Sequence, residues 1–227
     1  MNDIIKILVN QNYNSVYIVG DLHGSYSLLM HELHLNNFDF ENDLLICTGD
    51  IIDRGTENLE CISLLDQKWF LTVRGNHEEM CIRGQHDPKM KDMHARNGGA
   101  WFYRQFQKTR QRIIDQLAKL PLVIEVELKN KKVGIVHADI DIHDWNAFKE
   151  DLVKGDYKIS GITSAYTNAL WGRGRIRNYS DKYDIVENID EIYIGHTIVK
   201  EQTQIDNCHY IDVGSYFTKK LCIVKVQ

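Results

Sequence analysis

Proline is nearly missing: Pro88 and Pro121 are the only two in 227 residues. There is no Pro/Gly/Ser-rich stretch and no internal repeat, so nothing in the sequence offers a linker. One domain spanning residues 1–227 is expected. Cysteine is scarce and odd in number. Cys47, Cys61, Cys81, Cys208 and Cys222 form no C-x-x-C pair, and most sit in apolar runs. That excludes a disulfide framework and points to buried thiols in a reducing compartment. Basic charge is not in surplus either. The formal net charge is −5, which argues against a nucleic-acid partner; bound divalent cations would offset several of the acids. No apolar run is long enough to span a bilayer, and the opening MNDIIKILVNQNYN is too short in apolar residues for a signal peptide. A cytoplasmic protein without a membrane partner is the expectation.

What is there is an ordinary globular mix, 43% hydrophobic and 26% charged, and one stretch of unusual chemistry. Leu44 to Cys47 is an apolar run of strand length. It breaks at Gly49 and delivers Asp50, Asp53, Arg54 and a second breaker, Gly55. A strand that ends in Gly-Asp and turns toward a helix places its side chains in the crevice at the carboxyl edge of a sheet. Asp50 is the best candidate in the chain for a carboxylate shared by two metal ions. Read alone, the segment is equally an ordinary strand-to-helix turn with Asp50 as a cap and Asp53–Arg54 as a surface pair.

The same unit recurs on either side. Residues 16 to 20, VYIVG, read as a buried strand running into Asp21-Leu22-His23-Gly24. Ser25 can cap the following helix, Tyr26 to Asn36, with Leu28, Leu29 and Leu33 inward. Asp21 and His23 flank Leu22, so in extended geometry they share a side, as a carboxylate–imidazole metal pair would. Trp69 to Val73 is a third strand, ending in Arg74-Gly75-Asn76-His77-Glu78. Strand, polar turn and helix thus occur three times within about eighty residues, a pattern that implies a parallel sheet with right-handed crossovers and its polar turns at one edge. The helix after the central motif is expected over Thr56 to Asp66. Residues 79 to 120 read as helices and loops with breakers at Gly84–Pro88 and Asn97-Gly98-Gly99. His31, His34, His86 and His94 read as solvated surface histidines.

Further along, Leu122–Leu128 and Val133–Val136 predict a hairpin whose second strand ends at His137-Ala138-Asp139. Residues 140 to 190 lack apolar periodicity and read as a loop region over the surface, carrying Trp171-Gly172-Arg173-Gly174-Arg175. Ile192–Ile194 runs into Gly195-His196-Thr197, and His209–Val213 and Leu221–Val226 are two final strands. A parallel half and a largely antiparallel half predict two packed sheets with helices outside, an α/β arrangement with α+β character.

Residues just past strand ends therefore form a set: Asp21, His23, Asp50, Asp53, Arg54, Arg74, Asn76, His77, His137 and His196, with Arg173 from the glycine-flanked loop. The segments GDLHG (20–24), GDIIDRG (49–55), RGNHE (74–78), VHAD (136–139), WGR (171–173) and IGHT (194–197) resemble the metallophosphoesterase superfamily and, within it, the PPP-type protein serine/threonine phosphatases of bacteria and phages. The resemblance covers nearly the whole chain and implies the calcineurin-like fold. It implies that Asp21 and His23 hold one divalent ion, that Asp50 bridges, and that Asn76, His137 and His196 complete the second. It further implies that His77 is the general acid oriented by Asp53, and that Arg54 and Arg173 bind phosphoryl oxygens with Arg74 in support. Mn²⁺ is the ion it implies, with iron or zinc as alternatives, and phosphorylated proteins or peptides are the partners. Two positions depart from the pattern. Eukaryotic relatives carry Gly-Gly where Ala138-Asp139 stands, and Gly172 occupies a place where a polar residue is expected. No regulatory subunit is implied.

The chemistry also follows from the residue types. A phosphate monoester dianion repels a nucleophile and has a poor leaving group. Two ions about 3.5–4 Å apart would bind its oxygens and acidify a water between them. Arginine forks would neutralise the remaining oxygens, and an imidazole held by a carboxylate would protonate the departing alkoxide. Two other readings stay open: a symmetrical dinucleoside tetraphosphate hydrolase of the same superfamily, and an inactive phosphoprotein-binding module.

Overall fold

Alternation along short strands decides the architecture. The computed structural model describes residues 5–9, 13–154, 164–177 and 184–227. Among these, the strands are β1 (Ile5–Val9), β2 (Val16–Val19), β3 (Leu44–Cys47), β4 (Phe70–Thr72), β5 (Val123–Glu127), β6 (Lys132–Val136), β7 (Glu191–Ile194), β8 (Thr203–Ile205), β9 (Cys208–Tyr210) and β10 (Ile223–Lys225). They form a six-stranded sheet in the order β1-β5-β6-β7-β9-β8 and a four-stranded sheet in the order β10-β2-β3-β4. Successive side chains point to opposite faces. Val16, Ile18, Leu44 and Ile46 meet Ile124, Val126, Val133 and Ile135 between the sheets. Tyr17, Val19, Leu45 and Cys47 face outward onto helices.

The helices are α1 (Tyr26–Leu35), α2 (Asn58–Ser63), α3 (Asn76–Arg83), α4 (Pro88–His94), α5 (Ala100–Tyr103), α6 (Gln107–Leu117), α7 (Trp145–Lys154), α8 (Ala165–Trp171), α9 (Gly174–Arg177) and α10 (Ser215–Thr218). Leu29 and Leu33 of α1 and Ile113 and Leu117 of α6 cover the small sheet. Trp145, Phe148 and Leu152 of α7 with Ala169 and Leu170 of α8 cover the large one. The result is four layers, helix, sheet, sheet, helix, with the central strands of each sheet buried on both faces.

The parallel β2–β3–β4 unit is present as the sequence implies, and β5 and β6 pair as the expected hairpin. The second half is not largely antiparallel. β1 pairs parallel to β5, β6 to β7, and β7 to β9, while β10 crosses to the small sheet and runs antiparallel to β2. Nor is the segment 140–190 only a loop region. It holds α7, α8 and α9, whose apolar residues are few but regular: Trp145, Phe148 and Leu152 stand three and four apart and are fully buried. Short helices with charged outer faces dilute a periodicity count. The parts of that expectation falling on residues 155–163 and 178–183 lie outside the described residues. Ser25 starts α1 without the expected side-chain capping bond; its N–H donates to the Leu22 carbonyl and its carbonyl accepts the first helical bond, from the Leu29 N–H. Among the described residues no helix is long and apolar enough to cross a membrane.

Candidate metal centre

Each strand of the parallel unit hands its chain to the same edge. β2 delivers Asp21 and His23, β3 delivers Asp50, Asp53 and Arg54, and β4 delivers Asn76 and His77 on the first turn of α3. β6 and β7 of the other sheet add His137 and His196. The turns are sharp. His23, Asp50, Asp53, Arg54 and His196 have φ of +44°, +48°, +73°, +65° and +62°, a region that costs a non-glycine residue on the order of 1–3 kcal/mol.

Hydrogen bonds over-determine that backbone. The Glu78 carboxylate, fully buried, accepts from the N–H of Asp50 at 2.9 Å, of Ile51 at 3.0 Å and of Gly75 at 2.8 Å. The His23 N–H donates to the Asp50 carbonyl at 2.8 Å, and the Asn58 side chain accepts from the Asp53 N–H at 2.6 Å. Ser215 Oγ reaches back to the carbonyls of Asp21 and Leu22 at 2.8 and 2.9 Å. Gly75 is required by contact: a Cβ there would run into Asp50 Oδ1.

Asp50 sits between two clusters. Its Oδ2 lies 3.6 Å from His23 Nε2, and its Oδ1 lies 3.5 Å from His137 Nε2. Asn76 Oδ1 stands 2.9 Å from that same His137 nitrogen. The tautomers follow from the far nitrogens. His23 Nδ1 is 2.9 Å from the Ile52 carbonyl and His137 Nδ1 is 2.8 Å from the Thr48 carbonyl. A carbonyl only accepts, so each Nδ1 carries the hydrogen and each Nε2 presents a lone pair. Burial pushes His23 down to about 3, and it lowers His137 and, with the neighbouring His137, His196 as well. Burial alone would raise Asp50, but the imidazoles around it, His137 foremost, hold it far below the carboxylate range. Neutral imidazoles and an ionised carboxylate are the forms that bind metal. Asp50, His137 and His196 form one candidate group, and Asp50, His23 and His77 another. Asp21 joins through the backbone of His196, whose N–H donates to Asp21 Oδ2 at 2.9 Å. The donor set, oxygen and nitrogen without sulfur, fits hard or borderline divalent ions.

His77 differs from the other imidazoles. Its Nδ1 donates to Asp53 Oδ2 at 2.7 Å. Burial works to lower it, but the charge of Asp50 and the bond to Asp53 win and hold it above its ordinary value. Asp53, which burial would raise, is held at about 2 by hydrogen bonds from His77 and His94. Trp101 Nε1 donates to its other oxygen at 2.8 Å. His94 is therefore not a surface histidine. It is fully buried, because α4 turns Met90 and His94, four apart, toward the interior. His31, His34 and His86 are exposed as expected.

The arginines separate. Arg54 spans His23 Nε2 at 3.0 Å and His77 Nε2 at 3.1 Å, with its guanidinium over the Tyr216 ring at 5.1 Å. Arg173 bonds Thr197 Oγ1 at 2.9 Å. Arg74 is not brought to them. Its guanidinium donates to the Ala118 and Leu120 carbonyls at 2.9 and 3.1 Å and pairs with Glu79 at 3.0 Å, tying α3 to the end of α6. Gly172 has a packing reason, since a Cβ would strike the Cβ of Asp139. Asp139 in turn accepts from the Arg175 N–H at 3.0 Å.

Three residues at the site escape the sequence reading in their roles: Glu78, Tyr216 and Asp212. Burial raises Asp212 to about 6, and Asp50, Arg54 and Arg173 act on its charge. Its Oδ2 has no protein partner. The signal was available, because Ile211-Asp212-Val213-Gly214 repeats the pattern of a buried strand ending in an acid before a glycine.

Carboxylates, imidazoles and an amide gathered around a shared Asp50, with guanidinia beside them, define a phosphate-ester hydrolase. The chain belongs to the calcineurin-like phosphoesterase family, which matches residues 15–200. Serine/threonine-protein phosphatases 1 and 2 of Salmonella typhimurium strain LT2 are similar to it: the first is 31% identical over 99% of this chain and 98% of its own, the second 36% identical over 95% and 94%. A symmetrical bis(5'-nucleosyl)-tetraphosphatase of Pasteurella multocida strain Pm70 is 31% identical over 58% of this chain and 46% of its own. The crystal structure of a cold-active protein-tyrosine phosphatase of a psychrophilic Shewanella species shares the fold, with a TM-score of 0.64 at 18% identity over 96% of this chain and 76% of that one.

Proposed function

We propose that residues 1–227 act as one catalytic domain, a metal-dependent phosphomonoesterase that removes phosphate from serine or threonine side chains of proteins and peptides. The observation that carries this reading is the division of Asp50, one oxygen toward His23 and the other toward His137. Asp21, His23 and Asp50 would hold one divalent ion, and Asp50, Asn76, His137 and His196 a second, with Mn²⁺ as the preferred metal. Ions held there supply Lewis acidity toward the phosphoryl oxygens and toward water.

The chain's own residues do the rest. Arg54 and Arg173 bind the phosphoryl oxygens in charge-assisted hydrogen bonds. His77, held above its ordinary value and fixed through Nδ1 by Asp53, would present Nε2 to the leaving oxygen and give it a proton. The five thiols, all unpaired and four of them buried, take no part and fit a reducing cytoplasm. Protein phosphatases match nearly the full chain at 31–36% identity, above the 27% of a tetraphosphatase that also spans most of it, which favours phosphoprotein over dinucleotide.

Phosphate release from a phosphoserine peptide, compared with cleavage of diadenosine tetraphosphate at equal enzyme and Mn²⁺, tests the reading. Turnover of the peptide at a higher kcat/KM is expected. A clear preference for the dinucleotide would replace this reading by the tetraphosphatase one, and binding of phosphopeptide without turnover of either would make the domain a binding module.

A further inference from the structure

We propose that His94 is a positioning residue of this reaction: with Tyr103 behind it, it holds the Asp53 carboxylate in the orientation that aims His77 at the leaving group. The inference rests on the reading of His77 as the acid.

Asp53 is fully buried and serves three ring donors from three helices. His77 of α3 meets Oδ2 at 2.7 Å, His94 of α4 approaches the same oxygen at 3.0 Å, and Trp101 of α5 meets Oδ1 at 2.8 Å. The His94 approach is oblique, and Nε2 has no other polar partner. The hydrogen on that nitrogen is fixed from behind. His94 Nδ1 lies 3.0 Å from the Tyr103 hydroxyl. If Nδ1 carried the hydrogen, a bare Nε2 would face an ionised carboxylate, lone pair against charge. The opposite tautomer removes that repulsion: Tyr103 O–H donates to Nδ1, and the Nε2 hydrogen lies on the side of the Asp53 carboxylate, obliquely at a 3.0 Å N···O approach.

The surrounding chain is shaped around that ring. In the turn Ala95–Gly99, a Cβ on Gly99 would overlap the His94 imidazole, and Gly98, at φ +106°, abuts the backbone of Arg54. His94 also packs against Phe102 and Tyr103 at ring-centroid distances of 5.9 and 5.5 Å. An apolar side chain would fill this space as well. What it would not supply is a hydrogen on the oxygen that His77 uses. Without it the carboxylate keeps the bonds to Trp101 and His77 but loses one of the three rings that limit its rotation, and the His77 ring gains that latitude.

The test uses Mn²⁺-loaded enzyme with two substrates, a phosphoserine peptide and p-nitrophenyl phosphate, and the variants His94→Leu, His94→Gln, Tyr103→Phe and His77→Asn. Protonation by His77 matters for a serine alkoxide and little for p-nitrophenolate. His94→Leu is expected to lose about tenfold in kcat on the peptide, part of the ~10²–10⁴ that general-acid help is worth. Its KM, metal content and p-nitrophenyl phosphate rate should stay near wild type. His94→Gln, which keeps an N–H donor, should recover most of the loss. Tyr103→Phe, the smallest change, should show the same selectivity at a few-fold and keeps the test alive if His94→Leu fails to fold. In metal-free protein, the low-field imidazole N–H signal that disappears in His77→Asn should shift in Tyr103→Phe. Equal losses on both substrates with that signal unmoved would make His94 a packing residue and overturn the proposal. If His77→Asn itself fails to discriminate between the substrates, the acid reading falls and the His94 inference with it.

Discussion

The Thr48 carbonyl accepts a 2.8 Å hydrogen bond from His137 Nδ1, and this leaves the other nitrogen of His137 bare, 2.9 Å from Asn76 Oδ1. A lone pair and an amide oxygen at that separation suit the second ion proposed above. Dialysis against chelator should abolish activity, with Mn²⁺ restoring it far better than Ca²⁺. His137→Asn and His196→Asn should each lose metal by elemental analysis and lower both substrates alike. Full activity in protein shown to be metal-free would sink the two-metal proposal.

The pH profile should depend on the leaving group. Burial opposes protonation of His77, but Asp50 and Asp53 outweigh it, so the imidazole is raised above 6.5. A general acid works in its protonated form, so its contribution is complete below its pKa and is lost as pH rises through it. The kcat for a phosphoserine peptide should therefore fall as pH rises through the raised His77 pKa, and p-nitrophenyl phosphate should lack that limb. Superimposable profiles for the two substrates would remove His77 from the proton transfer.

Arg173 and Arg74 should part company. Arg173→Ala removes charged hydrogen bonds worth about 1.5–3 kcal/mol each. KM should rise, kcat should fall, and inhibition by phosphate or vanadate should weaken, all with metal content intact. Arg74→Ala should instead lower the melting temperature, because its guanidinium serves the carbonyls of Ala118 and Leu120, and leave phosphate inhibition unchanged. Loss of phosphate inhibition in Arg74→Ala would return that residue to the phosphate site.

Glu78 should prove a residue of stability as much as of the site. Glu78→Ala leaves the buried N–H groups of Asp50, Ile51 and Gly75 without their acceptor. At about 1–3 kcal/mol for each of the three orphaned groups, with roughly 2–4 °C per kcal/mol in a chain of this size, melting should drop by at least about 6 °C. A calorimetric scan that overlays wild type would show that the β3 turn holds without it.

Much of this was legible in the sequence, for a physical reason. Asp21, Asp50 and Asn76 each stand within a few residues of a strand whose β-branched or aliphatic run announces it, and His137 and His196 follow runs of the same kind. The three parallel strands then bring their ends together without further information. The residues that were not legible act over distance or through short elements. His94 lies on a polar helix of seven residues, and its partner Asp53 is 41 positions earlier. Arg74 looks like a phosphate ligand until the end of α6 supplies two carbonyls. Asp212 is a different case: its strand-acid-glycine pattern is there to read, in a run that otherwise reads only as strand. The helices between 145 and 177 carry too few apolar residues each for period to show.

Ser215 closes on Asp21 and Leu22 across nearly two hundred residues, and β10 completes the sheet beside β2. On a ribosome adding about 5–20 residues per second, the strand that carries the Asp21–His23 pair waits roughly 10–40 s for the segment that finishes it. During that interval β2 is an open edge of apolar residues, and any ion caught at Asp21 and His23 is held without His196 or the Ser215 clasp. The motif made first is thus fastened last, and losing residues 208–227 would cost it its support while leaving every residue of that motif in place.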